Sequence, residues 1–459
     1  MSRMKQTMAA MDKKKSLILL IALGVVSAVV LMIYFNLDNN MVDKQHKQSP
    51  ILQGQNSGLR VELVTEGLSL PTSMAFIDKN NILVLEKDGE VRLISNGVLQ
   101  KHPALKVQVN TTSERGLLGI ATVNGDGGSS SRGNSDSYVK TAERSINRAT
   151  KTPKVFLYFT ESKPGKPLRN GIYKYGWDGK NLVNQTLILD LPAEPGPNHN
   201  GGKLKIGPDH YLYAVIGDLN EGDSLLQNFK NGKPPHDSSV ILRVNPNDGS
   251  PANNNPFLRN GVNSDNNVLA RYYAYGIRNS FGMTFDPITG SLWDTENGPD
   301  AYDEINIIKP GFNSGWQEVM GPISRSHVSE KDMVVFPGSK YTDPVFSWFP
   351  PIGVTAIEFL KSSKLGKGYT NNIFVGDINN GNLYYFEVNK TRTGLKFDNS
   401  RASVSGLLSD LVADDKSEIS TITFGTGFGG ITDIDTGPDG FLYILSYGNG
   451  SIYRIVPSL

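Results

Sequence analysis

A histidine on a glycine-rich loop, followed by an aspartate at the end of the next apolar run, is the pair in this chain best suited to proton transfer. The loop reads GPNHNGG (196–202), and the run YLYAVIG (211–217) ends at Asp218. An imidazole changes charge near pH 7, and a carboxylate beside one ring nitrogen orients the ring for proton transfer at the other. We therefore predict that His199 is a general base and that Asp218 orients it. A lone loop histidine without a catalytic role is the alternative.

Two further loops place polar side chains directly before apolar runs. Glu114 and Arg115 precede the run 116–122, and Arg278 and Asn279 precede SFGMTF (280–285). Charged groups next to a buried strand need a partner, and an arginine donates several hydrogen bonds in a fork geometry. We expect these four side chains to face a polar ligand. A local ion pair that caps the strand is the alternative for Glu114 and Arg115.

An acidic stretch and an aromatic stretch complete the candidate chemistry. The segment DTENGPDAYDEIN (294–306) is rich in oxygen ligands, which favours Ca²⁺ over a transition metal, although its spacing is not that of an EF-hand. A solvated acidic turn is the alternative. The segment SWFPPIG (347–353) carries aromatic rings that suit stacking on a planar cofactor or sugar, and equally suit ordinary loop packing.

The elements that must position these loops recur along the chain. From Leu59 onward, an apolar strand, a turn, a second strand and a third strand appear six times in the same order, as in 72–76, 82–86 and 91–94. This predicts an all-β fold, a six-bladed β-propeller of four-stranded blades, with LRVELVTEGL (59–68) joining the last blade to close the ring. The loops before the innermost strands then converge on the axis. A β-sandwich array with coincidental turns is the alternative.

The composition excludes several kinds of protein. The 459 residues contain 46 Lys and Arg against 45 Asp and Glu, so no global positive charge points to nucleic acid as a partner. There is no cysteine, which excludes disulfides, iron–sulfur clusters and thiolate zinc sites. The 48 glycines and 25 prolines suit many short strands joined by tight turns.

The N-terminal segment differs from the rest. Residues 16–35 carry no charge and are long enough to cross a membrane as a helix, and Lys13, Lys14 and Lys15 precede them. We predict a cytoplasmic basic segment (1–15), a transmembrane signal anchor (16–35), a polar linker (36–58) and an extracellular or periplasmic propeller (59–459). A cleaved signal peptide is the alternative. Within the propeller, the Gly/Ser-rich and then basic stretch 124–152 predicts a flexible surface insertion.

Several long motifs carry a family resemblance. From about residue 59 to 457 the chain resembles the glucose/sorbosone dehydrogenase family, whose members are aldose dehydrogenases on six-bladed propellers. The matching stretches are PTSMAF (71–76), ERGLLGIA (114–121), HNGGKLKIGPDHYLYAVIGD (199–218), YGIRNSFGMTFDPITGSLWDTENGPDAYDEIN (275–306), GFNSGW (311–316) and GPDGFLY (437–443).

The resemblance implies a quinoprotein that oxidises an aldose-type sugar at the anomeric carbon, and the predicted signal anchor would hold it at the membrane. It implies pyrroloquinoline quinone (PQQ) as hydride acceptor, Ca²⁺, and an external electron acceptor. By position, the resemblance also implies that His199 is the base and that Asp218 orients it. It implies that Arg278 and Asn279 contact cofactor and substrate, and that Trp348 lies at the mouth of the site. It further implies that the carbonyls of Gly298 and Pro299 bind the catalytic calcium, and that Asp303 and Glu304 bind a structural calcium.

The chain departs from the family where the cofactor carboxylates bind. The stretches VGDINNG (375–381) and FGGITD (428–433) contain no basic residue, where the best-known members have a lysine and two arginines, and Glu114 stands near a usual glutamine. We expect Lys203, Arg115 and Arg278 to supply the positive charge instead. Two alternatives stay open: a calcium-containing binding propeller that has lost the cofactor, and a lactonase-type hydrolase with carboxylates and asparagines converging on an axial metal.

Overall fold

Strands make up nearly all of the regular structure in the part of the chain that the computed structural model describes, residues 49–53, 58–123, 152–258, 267–397 and 409–458. The first half of the strands, in chain order, is β1 Ile51–Leu52, β2 Leu59–Glu66, β3 Pro71–Phe76, β4 Asn81–Glu86, β5 Glu90–Ser95, β6 Val98–Leu99, β7 Leu105–Lys106, β8 Leu117–Val123, β9 Lys154–Glu161, β10 Arg169–Trp177, β11 Leu182–Pro192, β12 Leu204–Ile206, β13 Leu212–Ile216, β14 Val240–Val244 and β15 Tyr272–Tyr275. The second half is β16 Ser280–Phe285, β17 Leu292–Glu296, β18 Asp303–Ile308, β19 Phe312–Asn313, β20 Lys340–Tyr341, β21 Phe346–Trp348, β22 Val354–Phe359, β23 Ile373–Asp377, β24 Leu383–Val388, β25 Leu395–Lys396, β26 Val412–Ala413, β27 Thr423–Thr426, β28 Ile431–Thr436, β29 Leu442–Ser446 and β30 Ser451–Pro457.

Helices are short. The helix α1 (Lys416–Ile422) begins after Asp415, whose side chain accepts hydrogen bonds from the backbone N–H groups of Ser417 and Glu418 and so caps the first turn. The 3₁₀ turns of the described residues are Leu225–Gln227, Val268–Arg271, Ile323–Arg325 and Glu330–Asp332.

The strands of the described residues form six sheets, numbered here in chain order of their first inner strand. Within each sheet the first three strands pair antiparallel. The orders are β3-β4-β5-β6 with β7 on β5 (sheet 1), β8-β9-β10-β11 (sheet 2), β12-β13-β14-β15-β19-β20 (sheet 3), β16-β17-β18-β21-β26 (sheet 4), β22-β23-β24-β27-β1 with β25 on β24 (sheet 5) and β28-β29-β30-β2 (sheet 6).

The core lies between neighbouring sheets. Leu85 of sheet 1 and Leu157 of sheet 2 share one buried cluster, and Met74 of sheet 1 packs with Leu445 of sheet 6 in another. Because each sheet is covered on both faces, its inner strands are nearly continuous apolar runs, as in LYAVI of β13, where every residue is buried. The first strands of consecutive sheets contact one another around the axis. The loops that precede them therefore meet at one end.

The two ends of the propeller are joined by a strand pair. Strand β2 runs antiparallel to the last strand, β30, with Leu59 opposite Pro457 and Glu66 opposite Ser451. The prediction that the segment 59–68 completes the last blade is confirmed.

The predicted fold class needs correction. The all-β propeller is confirmed, but the chain does not form a set of uniform four-stranded blades: only sheets 2 and 6 have four strands, and the others have five or six. The additional strands come from connections that the three-strand repeat does not reveal. Strands β19, β20 and β26 add in parallel at sheet edges, and β1 adds to β27. Pairing of this kind covers edges that would otherwise expose unpaired backbone groups.

The predicted membrane location is also contradicted. Among the described residues, no helix has the length and apolar character needed to cross a membrane. The predicted anchor 16–35 and basic segment 1–15 lie outside the described residues, as do 124–151 of the predicted insertion. Within the predicted linker 36–58, residues Ile51 and Leu52 pair with Thr426 and Gly425 and so belong to sheet 5.

Candidate functional site

The histidine loop and the strand that ends before Asp218 bring their two side chains into contact. His199 Nδ1 lies 2.5 Å from Asp218 Oδ1, and the two residues are 9% and 2% exposed. The other carboxylate oxygen, Asp218 Oδ2, accepts a hydrogen bond of 2.7 Å from Trp316 Nε1. With Nδ1–H donated to the carboxylate, the neutral ring keeps Nε2 as its proton acceptor.

The backbone of His199 is held in an unusual conformation. Its φ is 58°, in the left-handed region that most side chains avoid. The N–H of His199 donates to Glu114 Oε2 at 2.6 Å. Gly217, directly before Asp218, lies so close that a Cβ there would collide with the carbonyl oxygens of His199 and Arg278. The left-handed turn and the glycine together bring the histidine loop against the end of β13.

Glu114 joins the three predicted ligand loops. Its Oε2 also accepts a hydrogen bond of 3.0 Å from Asn279 Nδ2, and Asn279 Oδ1 accepts one of 3.1 Å from the N–H of Gly201. Asn279 is buried. The loops that open sheets 2, 3 and 4 are therefore tied together at the axis by one carboxylate and one amide.

Arg278 lies beside this group. Its guanidinium is 5.3 Å from the centroid of the Trp316 ring, and its Nη1 donates to the carbonyl of Asn297 at 3.0 Å. Burial lowers the pKa of Arg278, while the negative charges of Asp218 and Glu114 oppose this shift. Its Nε is buried without a hydrogen-bond partner, so the side chain retains an unused donor.

A cavity of about 290 Å³ opens beside these loops. Leu118, Phe281 and Ile378 form apolar parts of its wall, and Lys87, Glu114 and Lys203 form charged parts. Such a mixture of apolar wall and few charged groups is typical of a small-molecule site.

Two of the side chains predicted to bind the cofactor lie elsewhere. Arg115 donates to the carbonyls of Ala193 and Gly196, so it braces the chain just before the histidine loop. Trp348 is fully buried between sheets 4 and 5, where its ring packs against Phe346. Neither lines the cavity, and His199, Arg278 and Asn279 lie beside it rather than in its wall; of the predicted site side chains, those of Glu114 and Lys203 line it.

Lys203 does line the cavity, but its charge is already paired. Its Nζ lies 2.5 Å from Asp433 Oδ1, across the axis, and the two residues are 6% and 2% exposed. Asp433 also accepts a hydrogen bond from the Ser73 hydroxyl. Lys203 therefore offers a cavity ligand less positive charge than the sequence predicts.

The acidic segment forms a buried patch on sheet 4. Asp294, Glu296 and Glu304 are fully or almost fully buried, and no lysine or arginine in the described residues forms an ion pair with them. Burial raises the pKa of Asp294 to about 8 and that of Glu304 to about 7. Both carboxylate oxygens of Asp294 and the side-chain oxygen of Asn306 lack hydrogen-bond partners. Buried oxygens with this deficit of positive charge suit a hard cation.

The four residues predicted to bind metal do not all contribute free ligands. The carboxylate of Asp303 accepts backbone hydrogen bonds from Gly298, Ile352, Gly353 and Val354. It therefore fixes the loop that presents the carbonyls of Gly298 and Pro299. Glu304 accepts from the N–H of Gly321 and from Asn306 Nδ2.

The tightest cluster of acidic side chains in the described residues lies outside the segment 294–306. In the described part of the chain, the three acidic side chains whose oxygens lie within 4.8 Å of one another are Asp414, Asp415 and Glu418. Two of them are exposed, and they form the N-terminal cap of α1. The cap accounts for this cluster without a metal.

Two residues at the site were missed by sequence reasoning. Trp316 ends GFNSGW (311–316), a motif that indicates the family but was given no role. Lys87 follows β4, a second strand, whereas the sequence search covered loops before first strands. A search of the loops at both ends of each strand pair would have included it.

Comparison with known proteins decides the family. The glucose/sorbosone dehydrogenase model matches residues 146–454, most of the chain. The chain belongs to the glucose/sorbosone dehydrogenase family. This confirms the resemblance seen in the motifs, and it makes the chain an oxidoreductase that acts on sugar.

Individual members of the glucose/sorbosone dehydrogenase family match to different extents. The aldose sugar dehydrogenase YliI of Escherichia coli K12 is 27% identical over 60% of this chain and 64% of its own length. The quinoprotein glucose dehydrogenase B of Acinetobacter calcoaceticus is 36% identical over 29% of each chain. The PQQ-bound aldose sugar dehydrogenase of Streptomyces coelicolor shares the fold, with a TM-score of 0.59, 22% identity, and coverage of 89% of this chain and all of that one.

Proposed function

We propose that this sugar dehydrogenase is a quinoprotein that oxidises an aldose-type sugar at its anomeric carbon, with PQQ as hydride acceptor. The observation that carries the proposal is the buried contact of 2.5 Å between His199 Nδ1 and Asp218 Oδ1, beside a cavity between the sheets. This contact leaves a ring nitrogen that accepts a proton.

In the proposed reaction, His199 Nε2 takes the proton of the anomeric hydroxyl. The carbon–hydrogen bond of the same carbon then supplies a hydride, so the sugar loses two electrons and one further proton and becomes a lactone. When bound, PQQ supplies the two-electron acceptor for this hydride. Asp218 stabilises the imidazolium that forms, and the hydrogen bond from Trp316 keeps the carboxylate in place. An external electron acceptor then reoxidises the enzyme.

The cavity residues fit a planar anionic cofactor in part. A volume of about 290 Å³ is at the lower end of small-molecule pockets, which begin at roughly 300 Å³. The apolar side chains of Leu118, Phe281 and Ile378 suit the faces of a ring system. Arg278 has an unused donor, and Lys87 and Lys203 bring positive charge to the wall. Arg278 and Lys87 have donors left for the cofactor carboxylates, whereas Lys203 is paired with Asp433.

Calcium is proposed as the second component. The carbonyls of Gly298 and Pro299 would hold the ion next to the cofactor, where a cation polarises a carbonyl group. The buried carboxylates of Asp294, Glu296 and Glu304, without positive partners, support a further calcium in sheet 4.

The hydrolase alternative finds less support. It requires carboxylates and asparagines that converge on an axial metal. In the described residues the uncompensated acidic groups lie together in sheet 4, on β17 and β18.

The test is reconstitution of the full chain with PQQ and Ca²⁺, followed by dye-linked oxidation of a panel of aldoses. We expect turnover in the wild type, and a loss of at least about 100-fold in His199→Gln. The melting temperature and PQQ affinity of the variant should match those of the wild type, since the substitution leaves the cavity wall unchanged. Full activity in His199→Gln would remove its role as base, and failure of the wild type to bind PQQ would remove the cofactor.

A further inference from the structure

Lys87 is a cavity cation to which neither the motifs nor the family pattern assigns a role. It directly follows β4, and its backbone is fixed on both sides: its N–H donates to the carbonyl of Leu70, and its carbonyl accepts from the N–H of Leu117. The side chain lies in the cavity wall next to Glu114.

In the described part of the chain, no carboxylate lies within ion-pair distance of Lys87, although the negative charge of Glu114 favours its protonated form. Within the described residues its Nζ has one hydrogen-bond partner, the backbone carbonyl of Ser113. An ammonium group has three donors, so two are left. Lys203, in contrast, is committed to Asp433.

Three hydroxyl donors in the same wall are already occupied. The hydroxyls of Thr72, Thr355 and Thr432 donate to the carbonyls of Leu117, Ile431 and Pro71. Lys87 is therefore a cation whose remaining donors are available to a ligand.

Gly116 leaves room for the aliphatic part of the Lys87 side chain beside the cavity. Gly116 has a φ of 153°, and a Cβ at this position would lie 2.8 Å from Lys87 Cγ and 2.7 Å from the Lys87 carbonyl oxygen. A larger residue would displace the lysine. Position 116 therefore requires a glycine, because the aliphatic part of the Lys87 side chain passes it at the start of sheet 2.

We propose that Lys87 binds a carboxylate group of the anionic cofactor and so supplies part of the positive charge that the stretches 375–381 and 428–433 lack. The inference rests on the proposed function, because it assigns the ligand of the same cavity. A partly buried ammonium that meets a carboxylate forms a charge-assisted hydrogen bond, which is stronger than a neutral one. The chemical class of the ligand is a planar polycarboxylate.

Direct binding of PQQ to the full chain, without sugar, tests the inference. We would titrate PQQ in the presence of Ca²⁺ by isothermal calorimetry, using the wild type, Lys87→Met, Lys87→Arg and the control Lys79→Met. The control lysine is exposed on the turn between β3 and β4, at the opposite end of the same strand pair. Melting temperatures recorded in parallel exclude unfolding as the cause of a loss.

We expect Lys87→Met to raise the PQQ dissociation constant by about tenfold to a hundredfold, the range of a hydrogen bond to a charged group. Lys87→Arg should stay within about threefold of the wild type, and Lys79→Met should be unchanged. Equal affinity in Lys87→Met and the wild type would overturn the inference and leave the proposed function standing. Equal losses in the Met and Arg variants would overturn the role of the charge. A wild type that binds no PQQ would overturn both the cofactor and the inference.

Discussion

His199 Nδ1 and Asp218 Oδ1 are 2.5 Å apart, and the second oxygen of the same carboxylate is held by Trp316. The carboxylate is thus fixed at both oxygens before any substrate arrives. Its orientation depends on a tryptophan from a loop about a hundred residues further along the chain.

We predict that Asp218→Asn lowers kcat by about 100-fold or more, because an amide does not stabilise the imidazolium. Trp316→Phe is the matched variant: it keeps an aromatic ring but removes the donor to Oδ2, so kcat should fall less. Steady-state kinetics at saturating PQQ measure both. A purely structural Asp218 would show the opposite pattern, with a lowered melting temperature and an unchanged kcat.

Two substitutions of Glu114 separate the effect of its negative charge from the effect of its hydrogen bonds to His199 and Asn279. In Glu114→Gln, the remaining oxygen still accepts from His199 and Asn279. The loss of a negative charge from the cavity wall should then tighten PQQ binding, by about tenfold. Glu114→Ala removes the charge and both hydrogen bonds, so affinity should rise while kcat falls. If Gln and Ala give the same kcat, the hydrogen bonds from Glu114 do not position the histidine.

Calcium should reverse the effect of a substitution at Asp294. In EDTA, Asp294→Asn should raise the free energy of unfolding by about 1 to 3 kcal/mol, because it removes a buried carboxylate with no partner. In millimolar Ca²⁺ the variant should lose most of the stabilisation that the wild type gains. Urea denaturation under both conditions measures this. Asp300→Asn, at an exposed residue of the same segment, is the control and should change neither value.

PQQ affinity should depend on pH through Lys87. Burial lowers the pKa of Lys87, and the negative charge of Glu114 opposes this shift. The protonated lysine binds the anion, so affinity falls as pH rises through its pKa, which lies below the ordinary lysine value. Titrations between pH 7 and 10 should show this decline in the wild type and a flatter profile in Lys87→Met. Parallel profiles in the two proteins would contradict the assignment.

The sequence predicts well what depends on local pattern. The strand Ser280–Phe285 is an apolar run bounded by turn residues, and its observed limits match those of the run SFGMTF in the sequence. The pair His199 and Asp218 was also predictable, because a single strand pair separates them. Contacts across the axis were not. Lys203 pairs with Asp433, 230 positions away, and no local pattern reveals that its charge is taken.

Trp348 shows the same limit of prediction from sequence, here for a residue that was expected at the site and is buried elsewhere. An aromatic residue next to prolines resembles a stacking surface, but β21 lies inside sheet 4 and buries the ring between two sheets. Burial of a side chain in a ring of sheets depends on the neighbouring sheet, which the sequence of one loop does not contain. For the same reason, the sequence did not predict the strands added outside the repeat, such as β19 and β26.

The pairing of β2 with β30 also has a consequence for biosynthesis. The strand that closes the ring is made long before its partner, because Glu62 and Arg454, which pair across the two strands, are 392 positions apart. Sheet 6 cannot form until β30 has been made, and until then β2 presents an unpaired edge. Cells that produce this enzyme must therefore keep this part of the nascent chain from aggregating before the ring can close.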